Sequence, residues 1–124
     1  MRMISFSSFF RSLRHALRGL KTVAHNEHSF RLQLLGLIGI VIGLFVLDLA
    51  VWEQIILILL SAAVLIMEVL NSIVERITDG LKPRLSPMVK EVKDMMAGAV
   101  LLTVLASSII GLMIFVPALL ALFS

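Results

Sequence analysis

The sequence contains no cysteine and few charged residues. Its 124 residues include eight acidic and eleven basic side chains, 15% of the chain, whereas 60% are apolar. The lack of cysteine excludes disulfides and thiolate metal sites. An ordinary soluble domain is about one quarter charged, and a soluble fold of this size has too little interior to hide so many apolar side chains. We therefore expect one domain that is largely in contact with lipid.

Motifs of soluble nucleotide-binding enzymes are also missing. The chain has no Walker-type GxxxxGK[ST] loop, no soluble-kinase motif set, no internal repeat and no low-complexity segment. Arginines occur from Arg2 to Arg18 without an apolar core or a small-residue cleavage site, so we expect no secretory processing. We expect no nucleic-acid partner.

Residues 5–26 are predicted to form an amphipathic surface helix. Apolar side chains recur at helical spacing, namely Phe6, Phe9, Phe10, Leu13, Leu17, Leu20 and Val23. Basic side chains form a second stripe, namely Arg11, Arg14, Arg18 and Lys21. A basic, aromatic-rich helix suits a membrane interface, where acidic headgroups attract cations, and packing against another protein is the alternative.

Three further helices are predicted over residues 30–50, 52–79 and 87–122, and each contains a transmembrane span. The first is almost wholly apolar and long enough to cross a hydrocarbon core about 30 Å thick. Ser86 suits an N-cap and Pro87 the first helical position of the last helix. The predicted fold class is therefore all-α, an integral-membrane bundle with an N-terminal surface helix.

The basic residues predict the orientation. Six of the eleven lie from Arg2 to Arg31, and the other five, from Arg76 to Lys93, flank the link between the second and third spans. The link at residues 48–54 and the C-terminus contain none. By the positive-inside rule, the N-terminus and the second link face the cytoplasm of a bacterial-type cell, and the first link and C-terminus lie outside.

The second span carries an acidic face near its C-terminal end. Glu68, Asn71, Glu75 and Asp79 stand at i, i+3, i+7 and i+11, within a sector of about 80° on a helix. Glu68 follows an apolar run, which places it at the cytoplasmic membrane boundary, where a carboxylate is a candidate functional group. The alternative is a solvated helix end, which fits Asp79 well and Glu68 poorly.

The start of the third span offers complementary charges. Lys90, Lys93 and Asp94 are neighbours on one helix, although Lys90 and Asp94 could simply pair with each other. Glu27 follows the surface helix and supplies a further acid. Acids from several helix ends with a lysine nearby suit a magnesium-bound polyphosphate, because Mg²⁺ favours a few carboxylates plus substrate phosphates.

These residues carry a family resemblance. The motif Glu68-x-x-Asn71-Ser-x-x-Glu75-x-x-x-Asp79, followed by Lys93-Asp94 and Ala97-Gly98-Ala99-Val100, resembles the prokaryotic diacylglycerol kinase family, which also contains the undecaprenol kinases. The similarity extends to Gly19-Leu20-Lys21 and Asn26-Glu27-x-x-Phe30-Arg31 and covers nearly the whole chain. The order of one surface helix and three spans is that of the family.

The resemblance implies a homotrimer whose active sites are shared between neighbouring subunits at the cytoplasmic interface. It also implies transfer of the γ-phosphate of Mg-ATP to the hydroxyl of a membrane lipid alcohol. The implied roles are as follows: Glu68 is the general base, Glu27 and Glu75 hold Mg²⁺, Asn71, Lys93 and Asp94 surround the phosphates and the reacting hydroxyl, and His15, Arg84 and Ser86 contact nucleotide.

The chain departs from the family pattern at several positions. His15 replaces an aromatic residue found in some members, Gln33 stands where some have an acid, and Pro83 and Pro87 remodel the second link. Diacylglycerol, which gives phosphatidic acid, ranks first as acceptor by family name. The Ala-Gly-Ala-Val version at residues 97–100 is commoner in the undecaprenol branch, whose product is undecaprenyl phosphate.

Two rival functions remain open from the sequence. A non-catalytic helical membrane protein, such as a transporter subunit or assembly factor, would have acids merely at helix ends. A lipid phosphatase would typically use histidine nucleophiles with an arginine cluster near the membrane surface. Here the histidines lie far in sequence from the acidic face, and no such cluster is evident. A requirement for Glu68 in ATP-dependent lipid phosphorylation would separate the kinase from both.

Overall fold

The computed structural model describes residues 5–81 and 86–124. Within these ranges the chain forms four α-helices and no strand: α1 (Phe6–Asn26), α2 (His28–Val46), α3 (Val51–Leu81) and α4 (Ser86–Leu122). The helices α2, α3 and α4 are each long and apolar enough to cross a membrane. The predicted all-α fold with a surface helix and three spans is confirmed.

Helix α1 leaves its apolar stripe uncovered by the rest of the protein. Ser5 caps the helix, since its side chain accepts a hydrogen bond from the Ser8 N–H at 3.2 Å. The apolar side chains from Phe6 to Leu20 are exposed, and Val23, near the C-terminal end, is buried. A helix with this uncovered apolar face and a basic stripe is suited to lie on a lipid surface.

A sharp junction at Glu27 separates α1 from α2. Glu27 has an extended backbone (φ −111°, ψ 111°), and its N–H donates to the Val23 carbonyl at 2.8 Å, which closes α1. The Arg31 guanidinium, one turn into α2, donates through Nη1 to the carbonyls of Ala24 and His25 at 3.0 and 2.8 Å. These bonds satisfy carbonyls that the end of α1 leaves without helical partners, and they join α1 to α2.

The three long helices differ in length. At about 1.5 Å per residue, the 19 residues of α2 span about 28 Å, close to the thickness of a hydrocarbon core. The 31 residues of α3 span about 46 Å and the 37 residues of α4 about 55 Å. Glu27, just before α2, contacts Ser72 of α3. The last nine residues of α3, 73–81, therefore continue past the start of α2.

The link between α2 and α3 corrects the predicted end of the first span. The predicted span runs to Ala50, whereas α2 ends at Val46 and Leu47 is extended (φ −90°, ψ 145°). Leu47 and Leu49 are buried in a cluster with Leu57 of α3 and Ile114 of α4. The apolar composition predicted that the helix continues through these residues. The segment is extended, and its alternate side chains, Leu47 and Leu49, both reach the cluster. Packing against neighbouring helices therefore overrode the local pattern.

Helix α3 is the centre of the bundle, with α4 and α2 packed against it. Between α2 and α4 lies an apolar groove of about 430 Å³, whose floor is formed by α3 residues such as Leu57 and Val64. Phe115 of α4, which lines the groove, packs against Gly43 of α2, where a Cβ would lie 2.8 Å from Phe115 Cε1. The lack of a side chain at Gly43 therefore leaves room for the Phe115 ring.

Candidate functional site

The acidic face of α3 lies at the end of the bundle where α1 meets α2. Glu68 and Ser72 are buried, Asn71 and Glu75 are half-buried, and Asp79 is exposed. The face continues the buried side of α3, because Leu57 precedes Glu68 by eleven residues, which is three helical turns. From Leu57 onward this side of α3 is therefore uncharged until Glu68, where the acidic face begins.

Glu68 is the most unusual group of this face. Only 8% of the surface of Glu68 is exposed. Within residues 5–81 and 86–124, its carboxylate has no hydrogen bond and no ion pair. Among the described residues, no side-chain oxygen is both fully buried and without a hydrogen bond, so the Glu68 carboxylate keeps some access to solvent although the residue is buried. A carboxylate at this depth of a spanning helix is a candidate functional group, and without a protein partner among the described residues it is able to accept a proton from a bound hydroxyl.

Glu27 is brought to this face by a contact between distant parts of the chain. The Ser72 hydroxyl donates to Glu27 Oε1 at 3.1 Å, across 45 residues of sequence. Glu75 follows Ser72 by three residues, so it lies one helical turn along α3 from the residue that contacts Glu27. Asn71 Nδ2 donates to Glu75 Oε1 at 3.4 Å, a long and therefore weak bond.

The two carboxylates fit a magnesium ion that arrives with a nucleotide. Within the described part of the chain, no three acidic or histidine side chains converge on one point that could hold a metal. Mg²⁺ that is bound through substrate phosphates needs one or two carboxylates from the protein and keeps several waters. Glu27 and Glu75 are of the right chemical type and number, and they come from different helices.

Lys93 brings α4 to the far end of the acidic face. Its ammonium Nζ lies 2.9 Å from Asp79 Oδ1. Asp79 is largely exposed, which is compatible with the solvated helix end expected from the sequence, and its carboxylate also joins α3 to α4. The suggested pair of Lys90 with Asp94 does not form, and both side chains are exposed.

The other residues that the family resemblance implied lie apart from this face or outside the described ranges. His15 is exposed on α1, twelve residues or about 18 Å of helix before Glu27. Ser86 is the exposed first residue of α4, and Asp94 is exposed one residue after Lys93. Arg84 lies outside the described residues. Within one chain, Glu68, Asn71 and Glu75 share the acidic face, Glu27 contacts it through Ser72, and Lys93 pairs with Asp79 at its end.

Ser72 belongs to the motif that carries the family resemblance, but the sequence assigned it no role. It stands four residues after Glu68 and three before Glu75, and only 2% of it is exposed. The available signal was its position, because a serine with this spacing falls on the same face of the helix as the acids. Its partner could not be found by spacing, since Glu27 belongs to another helix junction.

The fold and the face together define a multi-pass membrane protein with a polar, acid-rich site at one end of its spans. Residues 14–115 match the sequence profile described as prokaryotic diacylglycerol kinase. The chain is also 35% identical over 111 residues to the undecaprenol kinase of Bacillus subtilis (strain 168), and the alignment covers 90% of each protein. The chain therefore belongs to the prokaryotic diacylglycerol kinase family, and the resemblance found in the sequence is confirmed.

Proposed function

We propose that the protein transfers the γ-phosphoryl group of ATP to the hydroxyl of a membrane lipid alcohol. The observation that carries this proposal is the carboxylate of the buried residue Glu68, which has no partner within the described residues and is the first acid on the buried side of α3 after Leu57. A lipid alcohol has its hydroxyl at this depth when its tail lies in the hydrocarbon. Membership of a lipid kinase family supports the same chemistry.

Glu68 is the proposed general base. It accepts the proton of the lipid hydroxyl while the hydroxyl oxygen forms a bond to the γ-phosphorus, and the bond between that phosphorus and the β,γ-bridging oxygen breaks to release ADP. Because the carboxylate has no donor of its own among the described residues, it need not give up an existing hydrogen bond to accept this proton. Asn71, on the next turn of α3, is proposed to orient the hydroxyl.

Glu27 and Glu75 are the proposed holders of Mg²⁺, and the contact of Glu27 with Ser72, one turn before Glu75, supports this role. When bound there, Mg²⁺ would neutralise the negative charge on the phosphate oxygens. Lys93 contributes a positive charge from α4, at the end of the face beyond Glu75. Asp94, His15, Arg84 and Ser86 are proposed to contact the nucleotide.

Undecaprenol is the acceptor that we propose first, with diacylglycerol second. The relative with 35% identity is named for undecaprenol, whereas the name of the family refers to diacylglycerol. The Ala-Gly-Ala-Val sequence at residues 97–100 supports the same branch. Both acceptors present one hydroxyl on a long apolar tail, so the proposed chemistry of Glu68 is the same for either.

We also propose that the protein works as a homotrimer with active sites shared between subunits. His15 and Ser86 are both exposed in the single chain, which supports sharing, because they are accessible to the site of a neighbouring subunit. The proposed orientation places the site, the N-terminus and the link between α3 and α4 in the cytoplasm. The C-terminus and the link between α2 and α3 then lie outside.

The test is ATP consumption by bilayer-reconstituted protein given Mg²⁺ and either undecaprenol or diacylglycerol. We expect turnover with undecaprenol, and Glu68→Gln should lower it by about 100-fold or more while the oligomer persists, since general-base catalysis contributes about that much. Asp48→Asn, an exposed carboxylate in the opposite link, is the matched control and should keep wild-type turnover. Full activity of Glu68→Gln would contradict the assigned role, and an assembled wild type inactive with both lipids would favour the non-catalytic alternative.

A further inference from the structure

The side chain of Ser72 behaves differently from other hydroxyl side chains of the spanning helices. Ser61, Thr78 and Thr103 donate to carbonyls of their own helix, at 2.8, 2.9 and 2.9 Å respectively. That local bond is the usual choice for a serine or threonine within a helix. Ser72 instead donates across the helix interface to Glu27 Oε1 at 3.1 Å. The preference for a distant acid over a nearby carbonyl requires an explanation.

The Glu27 side chain also makes an unusual choice. Glu27 occupies the N-cap position of α2, where a side-chain oxygen can accept a hydrogen bond from the first turn, but it makes no such bond. Its carboxylate turns towards α3 and meets Ser72, which is 2% exposed. Ser72 and Glu27 therefore bond to each other and not to the backbone groups nearest to them.

The bond fixes one carboxylate oxygen and leaves the other available. A carboxylate that binds a metal is commonly held by a hydrogen bond from a neighbouring donor, which sets its orientation before the metal arrives. Ser72 lies between Glu68 and Glu75 in sequence, so the bond places the Glu27 carboxylate beside the acidic face. Loss of the hydroxyl would leave Glu27 on a non-helical junction without this restraint.

We infer that Ser72 is a positioning residue that holds Glu27 in the orientation required for a divalent cation. This inference rests on the proposed function, because it assigns Glu27 to that cation. Ser72 touches neither the cation nor the lipid in this role, and it acts through Glu27 alone. Its loss should therefore weaken cation binding and leave the chemical step at saturating cation almost unchanged.

The experiment compares Ser72→Ala, Ser72→Thr and Ser61→Ala with the wild type in bilayers at fixed ATP and lipid. Ser61 is the matched control, a buried serine of the same helix that bonds only to its own turn. We expect Ser72→Ala to raise the Mg²⁺ concentration for half-maximal turnover about tenfold, with kcat preserved, and Ser72→Thr to bring it back towards the wild-type value. Ser61→Ala should not change it.

A second readout does not depend on turnover. Mn²⁺ is titrated into each protein with a non-hydrolysable ATP analogue, and unbound Mn²⁺ is measured by electron paramagnetic resonance. If the wild type phosphorylates no lipid, the proposed function fails, yet weaker Mn²⁺ binding by Ser72→Ala than by Ser61→Ala still supports the inference. The inference would be overturned if Ser72→Ala and the wild type needed the same Mg²⁺ concentration for half-maximal turnover. It would also be overturned if Ser72→Thr did not restore that concentration, or if Ser72→Ala and Ser61→Ala bound Mn²⁺ equally.

Discussion

The Lys93 ammonium lies 2.9 Å from the Asp79 carboxylate, and this ion pair joins the C-terminal turns of α3 to the start of α4. The two side chains are 32% and 60% exposed. A pair with this much water around it contributes little to folding, at most about 1 kcal/mol. Its consequence is therefore mainly positional, because it keeps a positive charge close to the acidic face that carries Glu75.

The first prediction separates this positional role from stability. Asp79→Asn should change the free energy of unfolding by less than about 1 kcal/mol, because the pair is exposed. It should lower kcat/KM for ATP about tenfold, because Lys93 is then held less firmly where phosphate is expected to bind. Turnover measured against ATP concentration, with denaturation of the same samples, checks both expectations.

The control for Asp79→Asn is Glu91→Gln. Glu91 is an exposed acid of α4 and makes no ion pair within the described residues. Both variants remove one negative charge near the same membrane surface, so a general effect of surface charge on ATP would appear in each. An unchanged ATP dependence in Asp79→Asn would refute a positioning role for the pair.

The second prediction concerns the bonds between Arg31 and the end of α1. Arg31→Gln removes the guanidinium that contacts the Ala24 and His25 carbonyls, so the last turn of α1 should exchange its amide hydrogens faster. Arg18→Gln removes an equal charge from an exposed position of α1 and serves as the control. Hydrogen-exchange mass spectrometry in bilayers measures both variants.

Turnover adds a second criterion for Arg31. Because Glu27 occupies the junction that Arg31 stabilises, Arg31→Gln should also lower turnover several-fold at low Mg²⁺ and less at saturating Mg²⁺. Equal exchange protection in Arg31→Gln and Arg18→Gln would show that the two carbonyl contacts do not hold α1 in place.

Some features of the site follow from local sequence alone. The alignment of Glu68, Asn71 and Glu75 depends only on the helical period, and an apolar run of this length forms a helix in lipid because its backbone groups must bond internally. The face could therefore be predicted before any packing was known. The uncovered apolar stripe of α1 is predictable for the same reason, since it too depends on one helix.

Other features depend on how the helices pack and could not be read from spacing. The bond from Ser72 to Glu27 crosses 45 residues, and the pair of Asp79 with Lys93 crosses the link between two helices. The end of α2 at Val46 could not be read from the sequence either, because an apolar residue such as Leu47 is compatible with both a helix and an extended segment. Local pattern gives the face of each helix, whereas the partner of that face depends on tertiary contacts.

The third prediction tests orientation, and the lack of native cysteine makes it direct. Ser7→Cys places a single thiol on α1, and Asp48→Cys places one in the link between α2 and α3, both at exposed positions. A membrane-impermeant maleimide added to intact spheroplasts should label Asp48→Cys, and it should label Ser7→Cys only after permeabilisation. Ser124→Cys, at the exposed C-terminus, should behave like Asp48→Cys. ATP is available on the cytoplasmic side, and Glu27 lies at the same end of the bundle as α1. Labelling with the opposite sidedness would therefore contradict both the orientation and the proposed access of ATP to Glu27, Glu68 and Glu75.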